Sequence, residues 1–355
     1  MTEPDSPVQL SREDWRVILT RTVHEYRIHQ VVDLASALTY TAVLAMLPAL
    51  IALLALIGLV GDAEAVATQV LEVIDTLAVA SAMGPLREVV DELLDASHAA
   101  TAFVIGAVGA VWATSGFVAT FGRGMNRIYR VEEGRRYWFM QLKMVGVAAI
   151  VVVLMTVVAL ALLLTGPAAE SAARTFGLDE GVVFWWDLGK LPVLAAIGIA
   201  VIALLYWAAP NVKRRHLRWF SVGAGVALLS WVGTTTLFGA FAFTFGTFEG
   251  TYRGLGVAVA FLLWVWLSNL ALLFGAVLDT EVERARQLRA GIAAEERVQL
   301  PLRSERRIER NREQREADIR ASAAMRVAAE QEAQQDEEER DHSAGEADTS
   351  HPVPR

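Results

Sequence analysis

From Phe245 to Gly256 the chain reads Phe-Gly-Thr-Phe-Glu-Gly-Thr-Tyr-Arg-Gly-Leu-Gly, setting Glu249, Tyr252 and Arg253 among Gly246, Gly250, Gly254 and Gly256. Glycine at this density suits a tight or re-entrant hairpin, because it enters backbone regions closed to other residues. Gly246, Gly250 and Gly254 also fit small-xxx-small helix packing. Glu249 stands four residues before Arg253, so acid and base can pair locally. These three side chains are the outer groups expected to touch a substrate. Deeper in the apolar segments lie Thr39, Tyr40 and Thr41, Thr114 and Ser115, Thr234 to Thr236, and Ser268 with Asn269. One reading is a polar passage. The other is that hydroxyls bond their own helix backbone or tie helices together. Asn269 is the least at home in hydrocarbon and is expected to face protein or water. Pro48 removes a backbone hydrogen bond inside the first apolar segment and predicts a kink there. The candidate path or gate is therefore Tyr40, Pro48, Glu249, Tyr252, Arg253 and Asn269.

No catalytic residue is expected. A G-x-x-x-x-G-K-[ST] phosphate loop, an H-E-x-x-H helix and a G-x-S-x-G elbow are all missing from the sequence. The six histidines are scattered, with His24 and His29 off one helix face and His342 and His351 in the tail. No metal site, no cofactor and no enzyme activity follow from such a pattern. Cysteine is absent, which removes disulfides, thiolate zinc sites and redox thiols.

Six stretches carry no Asp, Glu, Lys, Arg or His: Ala35–Gly61, Ala99–Gly122, Met144–Ala169, Leu191–Val212, Trp219–Phe248 and Gly254–Leu278. Each exceeds the roughly 20 residues that cross a hydrocarbon core as a helix. With 54% hydrophobic residues, the fold class is all-α, a polytopic membrane protein of six transmembrane helices. Basic residues set the orientation. The arm before span 1 has Arg12, Arg16, Arg21 and Arg27; the loop after span 2 has Arg123, Arg127, Arg130, Arg135, Arg136 and Lys143; the link after span 4 has Lys213, Arg214, Arg215 and Arg218. The alternate loops have only Arg87, then Arg174 and Lys190, then Arg253. That is fourteen against four, so both termini are expected in the cytoplasm. The spans leave no ionisable group but tyrosine, which argues against a simple proton antiporter.

Three domains follow: a cytoplasmic arm over 1–34, the membrane domain over 35–280 and a charged tail over 281–355. The arm reads as a basic amphipathic helix, Trp15, Ile18, Leu19, Val23 and Tyr26 near one face, lying along the inner leaflet. The first external loop, Asp62–His98, predicts two short amphipathic helices, one through Val66, Val70, Val73, Ile74 and Leu77, the other through Leu86, Val89, Val90, Leu93 and Leu94. Its eight acids against Arg87 read as a solvated outer face or as a cation-attracting vestibule. The tail mixes fourteen basic with nineteen acidic residues from Asp279 and sustains no heptad, so it is expected to be largely disordered, with part of Glu281–Glu332 a solvated helix. No nucleic-acid partner is expected.

Ala37-Leu-Thr-Tyr40 with Met46-Leu-Pro48, Met125-Asn-Arg-Ile-Tyr129 with Glu132, Glu133 and Trp138, Ala209-Pro210-Asn211, and the block Phe245–Glu281 together resemble the YihY/BrkB membrane proteins. The resemblance runs from about Val31 to Arg284. Ala45 stands where the family has serine, Thr41 where it has a second tyrosine, Val277 where it has glutamate and Asp279 where it has asparagine. The resemblance implies a six-helix bacterial inner-membrane protein without a settled activity. The family's older ribonuclease label conflicts with a sequence that offers neither metal cluster nor basic groove. Three readings follow. The first is a transporter of a lipid, amphiphile or other envelope molecule along a path between spans 1, 5 and 6. The second is a scaffold that recruits partners through its tail, and the third an RNA-processing enzyme. The first is preferred. The bilayer is the one partner the sequence demands; oligomeric state is not legible.

Overall fold

The computed structural model describes residues 10–60, 96–164, 169, 173, 180–213, 221–245 and 253–349. The chain divides into two units, Met1–Arg303 and Ser304–Arg355. In the first unit α1 covers Arg12–Ile28, α2 Val31–Val60, α3 Ala96–Ile128, α4 Tyr137–Leu163, α5 Glu180–Ala208, α6 Val222–Phe245 and α7 Arg253–Arg289. Helices α2 to α7 are all long and apolar enough to cross a membrane, at least 24 residues each. Among the described residues no strand forms; one isolated bridge joins Val212 and Leu302.

The six spans pack as a ring in chain order: α2 on α3, α3 on α4, α4 on α5, α5 on α6 and α6 on α7, with α7 returning to α2. Small residues allow the closest approaches. At Gly106 a Cβ would lie 2.6 Å from the Ala52 nitrogen, and at Gly109 one would lie 3.1 Å from Pro48 Cβ. Pro48 therefore packs on α3, and α2 runs through it as one helix. Across α6 and α7 a Cβ at Gly275 would lie 2.5 Å from Ala227 Cβ and 2.7 Å from the Tyr206 hydroxyl. Tryptophans tie the same helices: Trp231 Nε1 donates to Ser268 Oγ at 3.1 Å, Trp264 to Thr235 at 3.2 Å, and Trp266 to Ser36 at 3.2 Å.

Burial concentrates at the end of the ring that carries α1. Val201 to Ala208 of α5 and Leu273 to Val282 of α7 supply much of the core, joined by Val118, Phe121, Met125 and Ile128 of α3. The other halves of α5, α6 and α7 leave Phe184, Trp185, Leu188, Leu237, Phe241 and Val259 uncovered. Such faces are stable only against lipid tails or apolar partners.

Helix α1 begins with a capping box, Asp14 N–H donating to Ser11 Oγ at 3.1 Å and Ser11 N–H to Asp14 Oδ2 at 2.8 Å. Its seating differs from the expected amphipathic one. Ile18, Thr22, Glu25 and His29 are buried, while Val17, Leu19 and Val23 are about half exposed. The buried stripe recurs at i, i+4, i+7 and i+11 and is mostly polar, because its polar members find partners described below. Gln30, with φ of 51°, makes the sharp turn into α2.

The last span also ends later than Leu278. Helix α7 continues to Arg289, and the segment to Arg303 folds back under the bundle, with Ala294 and Val298 buried. In the second unit Arg306–Thr349 is one helix, α8, where the sequence predicts a largely disordered tail. Alanine, arginine, glutamate and glutamine all favour helix. Exposed i, i+4 pairs such as Arg312–Glu316 and Arg326–Glu330 add to it. The predicted loop helices, through Leu94, lie outside the described residues, as do Glu249 and Tyr252.

Candidate functional site

Two polar assemblies hold the α1 end of the bundle. In the first, α3 ends at Ile128 and the chain turns through Arg130, whose φ is 54°. This brings the following loop under α5. Asn126 Nδ2 donates to Glu133 Oε2 at 2.8 Å, and Asn126 Oδ1 accepts the Asn211 N–H at 2.7 Å. Asn211 Nδ2 donates to the Glu132 carbonyl at 3.1 Å. Arg135 clasps the Glu133 carboxylate through Nε and Nη2, both at 2.7 Å, and Nη2 also reaches the Ala209 carbonyl at 2.8 Å. Burial would raise the Glu133 carboxyl, but the hydrogen bonds and charge of Arg135, with Asn126, hold it below the usual carboxylate range.

The second assembly joins α1, the end of α3, α7 and the 290–303 segment. Arg130 Nη2 donates to both oxygens of Glu25, at 3.1 and 3.0 Å, and His29 Nε2 lies 3.0 Å from the same carboxylate. Arg21 Nε donates to Glu281 Oε2 at 3.1 Å, and Arg284 approaches Oε1 at 3.1 Å. Arg284 Nη1 also bonds the Glu295 and Glu296 carbonyls, and Arg130 Nη1 the Glu296 carbonyl. Desolvation would raise the Glu25 carboxyl; Arg130, His29 and Arg284 hold it below its ordinary value. Burial pushes the His29 imidazole down against the opposing pull of Glu25, with Arg130 and Arg127 acting in the same direction as burial. Sequence reading missed this assembly because its members sit 100 to 260 positions apart. The one signal was the placement of Glu25 and His29 one turn apart on a face otherwise occupied by Ile18 and Thr22.

Of the candidate path residues, the side chains of Tyr40, Pro48 and Asn269 are described, and these three occupy separate places. Tyr40 is 68% exposed on the outer face of α2. Pro48 sits at the α2–α3 seam. Asn269 is buried on α7 facing α2, its Nδ2 donating to Val265 O at 3.1 Å and Thr39 Oγ1 at 3.3 Å. Arg253 is described only as the first residue of α7. Most deep hydroxyls are committed locally: Thr39, Thr41, Ser115, Thr236 and Ser268 all donate to carbonyls of their own helices. Among the described residues no group of three His, Asp or Glu side chains can hold a metal ion.

Six apolar helices of spanning length, sealed at one end by buried ion pairs, define a multi-pass membrane protein. The chain matches the Virulence factor BrkB family over residues 22–299, and it belongs to that family. It is 27% identical over 220 residues to YfkH of Bacillus subtilis, named as a ribonuclease-like protein, covering 62% of this chain and 79% of that one. It is 30% identical over 177 residues to a UPF0761 membrane protein of Pseudomonas paraeruginosa, covering 48% of this chain but 39% of the relative. A UPF0761 membrane protein of Alkalilimnicola ehrlichii is 25% identical over 286 residues, covering 76% of this chain and 59% of the relative. The chain thus spans well under two thirds of the length of these UPF0761 relatives. No solved structure matches it.

Proposed function

We propose that this bacterial membrane protein transports a lipid or another amphiphilic envelope molecule, along the seam where α7 lies between α2 and α6. The observation that carries the proposal is Asn269. The residue is 5% exposed at membrane depth on the α2–α7 seam. Nδ2 is held by Thr39 and its own helix, and among the described residues no donor meets Oδ1. An uncommitted neutral acceptor in hydrocarbon suits the hydroxyl or amine of a headgroup better than it suits a bare ion. The six charge-free stretches carry no ionisable group but tyrosine, so the reading is facilitated movement and not proton coupling. In this reading the glycine-rich Glu249–Arg253 segment supplies the outer contacts. The α1 end faces the cytoplasm of the plasma membrane, with both termini there; this rests on the fourteen-to-four bias and on α1, the 129–136 loop and the 290–303 segment meeting at one end.

The test is lipid and small-solute flux into proteoliposomes of wild type, Asn269→Leu, Glu249→Gln and Arg253→Ala. Flux in wild type that Asn269→Leu abolishes is the expected result. Wild-type protein that is folded and inserted yet moves nothing across a broad panel sinks the proposal. The second reading, a scaffold without ribonuclease activity, is favoured by α8, in which every residue from Glu309 to Gln335 is exposed and open to protein partners. It requires that loss of Ser304–Arg355 abolish function while flux is absent.

A further inference from the structure

Helix α1 is held along one stripe and leaves another bare. The held stripe, Ile18, Thr22, Glu25 and His29, is buried against the bundle. Arg12, Arg16, Leu19, Val23 and Arg27 recur at i, i+4, i+7, i+11 and i+15 and form a second line down the helix. All five are exposed, Leu19 and Val23 at 50 and 51%. The line carries three cations, two apolar side chains and no acid. The amphipathic face expected from the sequence joins Ile18 to Leu19; the fold separates them, turning Ile18 into the bundle and Leu19 out of it.

Contacts on either side of the held stripe fix which way the bare one points. On one edge the Tyr26 ring lies 5.9 Å from that of Phe274, inside the charge-free stretch that ends at Leu278. Ile18 clusters with Leu278 and Val282, and Trp15 and Val222, at the start of α6, pack on the same cluster. On the other edge Arg21 Nη2 donates to the Glu295 carbonyl at 3.2 Å, and Arg289 Nη2 donates to Asp14 Oδ1 at 2.7 Å. Glu295 and Arg289 both lie beyond Leu278. The Tyr26 edge is therefore the membrane side of α1, and the Arg21 edge the side toward water. Leu19 and Val23 stand seven and three residues before Tyr26 and continue round the helix from the membrane edge. Val17 stands four residues before Arg21, on the water edge. Apolar side chains flanked by arginines suit the boundary between acyl chains and phosphates: Leu19 and Val23 enter the first, and the guanidinium groups stay among the second.

We propose that the line of Arg12, Arg16, Leu19, Val23 and Arg27 docks α1 on anionic phospholipid of the leaflet at that end of the bundle. Lipid then holds one face of α1, while the ion pairs to α3 and α7 hold the other. The surface stands whether or not the bundle moves lipid.

The chain has no cysteine, so single cysteines can be labelled without background. Leu19→Cys, Val23→Cys and Val17→Cys, each carrying a nitroxide, are placed in the full-length protein in bilayers of phosphatidylcholine with or without phosphatidylglycerol. Collision with oxygen, which concentrates in hydrocarbon, is compared with collision with a water-soluble nickel chelate. With phosphatidylglycerol present, the Leu19 and Val23 labels are expected to meet lipid and the Val17 label water. Hydrogen exchange of α1 amides in the unlabelled wild type needs no substitution, and is expected to be about tenfold better protected with phosphatidylglycerol than without. Each arginine near an anionic surface is worth roughly fivefold, and screening by salt leaves about tenfold for three. Replacing Arg12, Arg16 and Arg27 together by glutamine should remove that gain and change nothing in phosphatidylcholine alone. A Leu19 label as wet as the Val17 label overturns the lipid contact. One shielded from both reagents overturns it in favour of a protein on that face, a second copy of this chain included. Protection that is equal in the two bilayers, or unmoved by the three glutamines, overturns the anionic assignment.

Discussion

Replacing Glu133 by glutamine puts the polar knot between α3 and α5 to a quantitative test. The carboxylate accepts Nε and Nη2 of Arg135, both at 2.7 Å, the Arg135 N–H at 3.0 Å and Asn126 Nδ2 at 2.8 Å. The side chains are 20% and 9% exposed. Removing one partner of a buried pair strands the other and costs about 3–5 kcal/mol. Partial exposure of Glu133, the glutamine oxygen that remains and the surviving Arg135 bond to Ala209 O bring the figure to the low end, about 3 kcal/mol. Arg135→Met alone leaves a carboxylate that solvent and Asn126 still reach, so about 2 kcal/mol is expected. The double variant leaves no charge stranded, and its cost should fall short of the sum by at least about 1 kcal/mol. Reversible unfolding in mixed micelles, read by tryptophan fluorescence, measures all three. Because the folded carboxyl lies below its ordinary 4.5, this stabilisation is full above that pH and fades as pH falls through the lower folded value. Additive variants, or a Glu133→Gln protein as stable as wild type, would refute the reasoning.

Three further outcomes are expected. A valine at Gly275 has to fit against Ala227, Gly223 and the Tyr206 hydroxyl, and should destabilise the α6–α7 contact by at least about 2 kcal/mol in the same assay, whereas Gly233→Val, with open space around its Cβ, should not. The folded His29 imidazole lies below 6.5, so the unfolded chain binds more protons just under that pH; docking of α1 should weaken as pH falls through 6.5, and His29→Gln should flatten that dependence in hydrogen exchange of α1 amides. Truncation after Arg303 should leave the melting temperature unchanged, while truncation before Glu295 should lower it sharply, because Arg21, Arg130 and Arg284 lose the carbonyls of Glu295 and Glu296.

The spans were legible because hydrocarbon permits so few alternatives: a chain without charges for over twenty residues has only a helix to satisfy its backbone. The polar ends were legible as residues and not as partners. Asn126, Glu133 and Asn211 all stand in the segments that carry the family resemblance, yet nothing local says that Asn126 accepts the Asn211 N–H across 85 positions. The arm misled for a related reason. Hydrophobic periodicity assumes that the apolar face is the buried one. On α1, Glu25 and His29 are buried because Arg130 satisfies the carboxylate, while Leu19 and Val23 face outward. The tail boundary fell short because Glu281 and Arg284 look like solvent residues until Arg21 is seen to meet them.

One face of α7 treats a carboxylate very differently at two positions one turn apart. Val277 stands where the resemblance places glutamate, and it is 1% exposed within the apolar core. Glu281 lies four residues on, one turn nearer the α1 end, and so on the same face. There it is 2% exposed and held by Arg21 and Arg284. A carboxylate at 277 would meet Leu273 and its apolar neighbours, whereas at 281 it meets two guanidinium groups. Val277→Glu combined with Glu281→Val should therefore not be a neutral exchange. It buries one unpaired carboxylate and strands Arg284, each worth several kcal/mol. If the double variant unfolds with wild-type stability, the pairing of Glu281 with Arg21 and Arg284 is not what holds α1 to α7.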